Sequence, residues 1–249
     1  MKPRILIFDI ETMASTAYIW ELRNDYIPIS MVKDHGHLLC WAAKWHGEKK
    51  VYFHDIREKG GEKDCVKKLW EMMQEADVVV AHNGKRFDVP TMNGYFAKFG
   101  LDKPSNYKIV DTLLISRANF RLLSHKLDSL GDFFGIGRKV VHTGFDLWKR
   151  CMEGDPKAWA MMKKYNIQDV NLLEQVYLKL LPWIKNGISY GLYLDGERPV
   201  CKNCGHSVLK KDGLEYLVGG TYQKFRCVKC RTPQRSRKPI ERNKKDLMM

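Results

Sequence analysis

The sequence predicts an α/β fold, a mixed sheet flanked by helices, with a small cysteine-bearing module after it. Three observations carry this. The first 55 residues hold three runs of strand character, and strand and helix patterns then alternate to about residue 185. Beyond that the composition turns basic, and two CxxC pairs stand at 201–204 and 227–230. With 249 residues, 44% hydrophobic and 11% aromatic, the chain has material for one large core and a small module.

Arg4–Phe8 is apolar and β-branched enough for a buried strand, and it leads into Asp9 and Glu11. Residues 13–36 show no period and read as irregular. Leu38–Trp45 and Val51–His54 read as further strands joined by a turn at Gly47. Glu62–Glu75 carries Cys65, Leu69, Met72 and Met73 on one stripe, the pattern of an amphipathic helix. Val78–Ala81 is a continuous β-branched run, expected as a central strand. A helix is expected from Val89 to Phe99, stopped near Gly100, and two more over Leu113–Phe120 and Leu127–Phe134. Asp155-Pro156 supplies an N-cap and a proline at the first helical position. After it Trp159, Met162, Tyr165, Asp169, Leu173, Val176 and Leu180 recur at three- and four-residue steps, as one helix or as two with a break near Lys164. The domain boundaries follow: 1–185 for the α/β domain, 186–200 for a linker, 201–231 for the cysteine module. The basic tail 232–249, with Pro233 and Pro239 and little apolar content, is expected to be disordered.

The net charge is +14, and residues 199–249 alone contribute +9 of it. A chain this basic favours polyanions, nucleic acid before anionic membrane. No apolar run approaches the ~18 residues of a membrane span, and MKPRILIFDIE meets Asp9 too early for a secretory signal. Seven cysteines, three of them scattered at 40, 65 and 151, argue against a disulfide framework. An intracellular, cytoplasmic, reducing location is expected.

Asp9 and Glu11 lie one residue apart on a strand, so both point to one face. Two like charges ~4 Å apart repel by roughly 4 kcal/mol at a surface-like dielectric. Alone, the triplet reads as a solvated strand end. Two further segments change that. In VVVAHNGKRFDVP a strand runs into Asn83, Phe87 and Asp88, where Asp88 either caps the next helix or serves a site. In KKYNIQDV, Tyr165 and Asp169 are four apart and share a helix face.

In order, D-x-E, N-x-x-x-F-D and Y-x-x-x-D resemble the motifs of the DEDD superfamily of 3′→5′ exonucleases, tyrosine subclass, which has an RNase H-like fold. SHKLDSLGDFFGIGRK at 124–139 and VDT at 110–112 look most like the proofreading domain of family B DNA polymerases. The resemblance covers about residues 1–185. It implies two magnesium or manganese ions held by Asp9, Glu11, Asp88 and Asp169. Asp9 would bridge both, Glu11 and Asp169 would complete the site that activates water, and Asp88 would hold the second ion. Two such cations can activate water and neutralise phosphoryl and leaving oxygens, and hard cations take oxygen ligands. Tyr165 would orient the nucleophilic water; with a phenol pKa near 10 it is a poor base. Thr12 and Met13 are placed to meet the terminal nucleotide. Phe87 packs beside a base or in the core; Asn83 contacts the strand or caps a turn. Lys139 reads as a solvated lysine, with phosphate neutralisation as the alternative. Asn166, where many relatives have cysteine, is expected to matter little because it faces away from Tyr165.

Cys201, Cys204, Cys227 and Cys230, in two pairs 22 residues apart, fit a four-cysteine zinc ribbon. Gly205 permits the tight knuckle turn, and His206 competes as a ligand. So small a module needs the zinc to fold. In TYQKFR, alternation puts Tyr222, Lys224 and Arg226 on one face, suited to single-stranded nucleic acid or simply solvated.

The expected function is therefore a metal-dependent 3′→5′ DNA exonuclease acting on single-stranded DNA or DNA 3′ ends. The ribbon would bind nucleic acid, or a polymerase or other replication protein. A stand-alone proofreading-type subunit such as phages encode fits. An exoribonuclease on the same fold, or a non-catalytic nucleic-acid-binding replication accessory, are the alternatives. No membrane partner is expected.

Overall fold

The strand that carries Asp9 and Glu11, β1 (Ile5–Thr12), is the middle strand of a five-stranded sheet. Along the chain follow β2 (Thr16–Ala17), β3 (Val32–Asp34), β4 (Leu38–Trp45), β5 (Tyr52–Asp55), α1 (Gly61–Gln74), β6 (Val78–Ala81), α2 (Asp88–Lys98) and β7 (Lys108–Asp111). Four helices complete this part: α3 (Thr112–Asn119), α4 (Leu127–Phe133), α5 (Phe145–Met152) and α6 (Pro156–Leu180). The sheet order is β5-β4-β1-β6-β7. β4 is antiparallel to β1 and β5 to β4, while β6 and β7 run parallel to β1. The computed structural model describes residues 2–23, 26–139, 143–185, 187–194 and 198–240. They divide into two units, Arg4–Tyr177, and Met1–Pro3 together with Leu178–Met249.

β1 separates two cores by its period of two. Leu6, Phe8 and Ile10 join one cluster with Leu69 and Met73 of α1 and Val89, Met92 and Phe96 of α2. On the opposite face, Leu39 and Cys40 of β4 pack with Leu147, Cys151, Trp159, Met162 and Tyr165. Full burial of each such large apolar side chain stabilises the fold by about 1.5–3 kcal/mol. Asp9 and Glu11 project on the second side, so the same alternation that builds one core delivers both carboxylates to the other. β1 and β4 lose register between Glu11 and Thr12, which ends the regular pairing where the acidic stretch ends.

α6 is one helix of 25 residues, not two. No glycine or proline interrupts it after Pro156, and Asp155 caps it by accepting from Lys157 N at 2.8 Å. Its register against the sheet is fixed by a buried cluster. Glu174 accepts from Lys44 Nζ at 2.6 Å, from His46 Nδ1 at 2.9 Å and from Gly47 N at 2.9 Å. Lys44 Nζ also donates to Asn171 Oδ1 at 3.2 Å. β7 and α5 escape the sequence pattern. The stretch read as irregular, 13–36, contains the small β2–β3 pair.

In the other unit, β8 (Leu209–Leu217), β9 (Gly220–Cys227) and β10 (Pro233–Arg235) form an antiparallel sheet in the order β10-β9-β8. β10 corrects the expectation of a disordered tail beginning at residue 232. Pro233, Gln234 and Arg235 pair with Arg226, Phe225 and Lys224, and the proline is tolerated because β10 is an edge strand. The end of the expected tail, 241–249, lies outside the described residues, as do residues 186 and 195–197 of the expected linker.

Candidate active site

β1 and α6 bring oxygen atoms of Asp9, Glu11 and Asp169 within 4.8 Å of one another. Asp88 stands beside this trio. It opens α2, and its Oδ1 accepts from Ile10 N on β1 at 3.3 Å. Its carboxylate is therefore held against β1. The N-cap position belongs to Phe87, which makes no side-chain cap. Asp88 and Asp169 are 2% and 1% exposed, so neither is a surface carboxylate.

Burial and mutual repulsion dominate the electrostatics. The Asp9 carboxyl is pushed well above its usual range by burial, then by Glu11, Asp88 and Asp169. Burial, then Asp169, push Glu11 up to about 8. Burial raises Asp88 to about 7 against the pull of the backbone N–H groups of Asp88 itself and Ile10. A cluster this unfavourable to its own charge suits divalent cations, and its donors are the hard oxygens that magnesium and manganese prefer.

Lys139 is not a solvated surface lysine. Its ammonium donates to Tyr165 OH at 3.0 Å and pairs with Asp169 Oδ2. Burial would lower its pKa, but Asp169 and Tyr165 outweigh burial and raise it. Tyr165 is 7% exposed, and its phenol is raised by burial, Asp169 and Glu11. It keeps its proton at neutral pH.

Asn166, expected to matter little, is engaged with β1. It does face away from Tyr165, but toward β1. Its amide is fully buried, and Nδ2 donates to Asp9 Oδ2 at 2.8 Å and to Asp9 O at 3.4 Å. Successive residues of a helix are turned by about 100°, so one turn of α6 addresses two walls of the site. Trp148 of α5, unnoticed in the sequence, donates its indole N–H to Glu11 and meets Tyr165 edge-on at 5.8 Å.

Thr12 ends β1, and Met13 packs against the cluster that holds Tyr165. Phe87 is 43% exposed, so it is not a core phenylalanine. Asn83 sits at φ 70° in a turn, its carbonyl accepting from Arg86 N and Phe87 N. Asp111, from the VDT stretch, holds that turn. It accepts from Asn83 N and Lys85 N, both at 3.1 Å, while capping α3 through Leu113 N and Leu114 N. A cleft of about 580 Å³ shares Lys139 with the acidic site and is lined by His82, Arg117, Leu123, His125 and Lys126 among others.

The second unit holds its own centre. One sulfur from each of Cys201, Cys204, Cys227 and Cys230 lies within 4.8 Å of all the others. Cys201–Cys230 and Cys204–Cys227 sulfurs are 3.4 and 3.7 Å apart. A zinc tetrahedron with ~2.3 Å bonds has sulfur–sulfur edges of about 3.8 Å, so the donor set fits that ion. The two knuckles repeat one geometry. Cys201 N donates to His206 O and Gly205 N to Cys201 O; Cys227 N donates to Thr232 O and Arg231 N to Cys227 O. The fourth residue after each leading cysteine is left-handed, Gly205 at φ 69° and Arg231 at φ 63°. His206 lends its backbone to the knuckle and is not in the sulfur group. On β9, Arg226 is paired with Asp212 at 2.8 Å, and the Arg235 guanidinium lies 4.2 Å from the Tyr222 ring.

A mixed sheet with helices on its faces and acidic residues at its middle strand is the frame of RNase H-like proteins. A family model of the RNase H superfamily matches residues 33–181, and the chain belongs to that superfamily. Nuclease-type hydrolysis of nucleic acid is what this membership suggests. Asp88, Tyr165 and Asp169 fall inside the matched stretch, while Asp9 and Glu11 precede it. No curated protein matches the chain. No helix among the described residues is long and apolar enough to cross a membrane.

Proposed function

We propose that the chain is a metal-dependent 3′→5′ exonuclease of the tyrosine DEDD subclass, acting on single-stranded or frayed DNA 3′ ends. The observation that carries this reading is the meeting of Asp9, Glu11 and Asp169, with Asp88 beside them, from separate elements around one point. Asp9, Glu11, Asp88 and Asp169 would hold two magnesium or manganese ions. Such ions supply an activated water and charge neutralisation at the phosphoryl group.

The chain's own residues do the rest. Tyr165 stays protonated and takes a hydrogen bond from Lys139 on its oxygen, so it acts by orienting water and not as a base. Lys139 brings a fixed positive charge to the edge of the carboxylate cluster, where a scissile phosphate would sit. Phe87, exposed at the start of α2, offers a face to the terminal base; Asn83, Thr12 and Met13 border the same region. The cleft beyond Lys139 carries Arg117 and Lys126 and would take the adjoining strand. Tyr222, Lys224 and Arg226 lie on one face of β9 in a unit that carries most of the excess charge, which supports a nucleic-acid or partner-docking role for the ribbon.

The test is degradation of end-labelled single-stranded DNA and RNA of equal sequence with magnesium, manganese or chelator. Stepwise 3′ shortening of DNA, abolished by chelator and by Asp9→Ala, is expected. Faster loss of RNA would move the substrate to RNA. Tight binding without cleavage under either metal would reduce the protein to a binder.

A further inference from the structure

Asp9 and Glu11 each receive one hydrogen bond from a neutral N–H group on a helix. For Asp9 the donor is the Asn166 amide at 2.8 Å, from α6. For Glu11 it is the Trp148 indole, from α5. Neither donor has a charge. A cation in either place would compete with divalent ions for the carboxylate, and an apolar group would leave the side chain free to turn. A neutral donor takes one lone pair, fixes the plane of the carboxylate and leaves its charge and its remaining lone pairs available.

The orientation of the Asn166 amide is itself set. Its Oδ1 faces the Cys40 thiol on β4 at 3.9 Å, a weak donor, so Nδ2 is directed at Asp9. The amide thus spans β4 and β1 with both ends used. Trp148 is held in turn by its edge-on contact with Tyr165. The arrangement links the residues of the site in pairs: α6 orients Asp9 through Asn166, and α5 orients Glu11 through Trp148.

We propose that Asn166 and Trp148 are positioning residues that preset the two β1 carboxylates to receive divalent cations. The inference rests on the two-cation reading above. Groups that orient metal ligands typically contribute 10- to 100-fold to affinity. The experiment titrates manganese or calcium into the full chain by calorimetry. Manganese quenching of tryptophan fluorescence is a second readout that needs no turnover. Trp148→Phe and Asn166→Leu are each expected to weaken cation affinity roughly tenfold with the melting transition retained. In DNA assays kcat should fall at fixed magnesium and recover at high magnesium, while KM for DNA is unchanged. If Asn166→Leu fails to fold, Asn166→Cys is measured in its place. Cation affinity within twofold of the parent in the folded variants, with Asp9→Ala devoid of binding, would overturn the inference and leave the two-cation reading intact. Unaltered binding in Asp9→Ala would overturn both.

Discussion

Lys44 and Glu174 form an ion pair at 2.6 Å with both side chains 8% exposed, joining β4 to the helix that carries Tyr165 and Asp169. Burial works against the Glu174 carboxylate, but His46, Lys44 and the Gly47 N–H together hold its pKa at about 2, against a reference of 4.5. Its folded value is thus depressed. The stability it contributes is complete above the unfolded value and is lost as pH falls from about 4.5 toward about 2. Glu174→Gln should lower stability by about 3 kcal/mol at pH 7. It should also flatten the acid limb of denaturant-derived stability measured between pH 5 and 2.5. An acid limb as steep as the parent's would contradict this account.

Lys139 joins Tyr165 and Asp169 through one ammonium. Lys139→Met should cut kcat on DNA by roughly 100- to 1,000-fold, the range typical of a lost charge stabiliser, with circular dichroism unchanged. Tyr165→Phe removes the hydroxyl but keeps the ring against Trp148. It should likewise lower kcat more than it raises KM, as read from single-turnover rates.

Asp111 serves the Asn83–Lys85 turn and the start of α3 at once. Asp111→Asn keeps the shape but replaces an ionic acceptor with a neutral one, while Asp111→Ala leaves buried N–H groups without their acceptor. The alanine variant should lose about 2–4 kcal/mol, the asparagine variant roughly half of that. Equal urea midpoints for the two would show that hydrogen-bond acceptance at this position is not what matters.

Gly205 has two reasons to be glycine. It is left-handed at φ 69°, and a Cβ there would meet Tyr190 Cδ1 at 2.6 Å. Gly205→Ala should cost upwards of ~1–2 kcal/mol from the backbone conformation alone. It should also speed zinc release to a colorimetric chelator. The other knuckle tolerates Arg231 in the same conformation, so Arg231→Gly is expected to slow release; release faster than the parent's would refute the equivalence of the two turns.

Removal of residues 199–249 takes away +9 of the +14 net charge. If the ribbon engages nucleic acid, the truncated chain should bind DNA more weakly and with a shallower log–log salt slope, measured by fluorescence anisotropy. Unchanged affinity and slope would favour docking to a protein.

The strand pair of carboxylates and the Tyr165–Asp169 pair could be read from sequence because each depends on one short-range period, two for β1 and 3.6 for α6. The residues that hold them could not. Trp148 lies on α5, whose eight residues are too few to establish a period. In sequence Asn166 reads against its neighbour Tyr165, whereas its partner is Asp9, 157 positions away. β7 escaped because KIVD is four residues with charged ends, and its place in the sheet comes from pairing with β6. Lys139 looks like any lysine until the chain folds its ammonium onto α6. Tertiary placement, not local preference, decides all four.

β1 is bonded to β4 along one flank and to β6 along the other. The β6 flank is bonded only over Ile5–Ile7, so the amides of those three residues exchange with solvent only when the sheet itself comes apart. Deuterium uptake should be slowest in Ile5–Ile7, the base of the strand that carries Asp9 and Glu11.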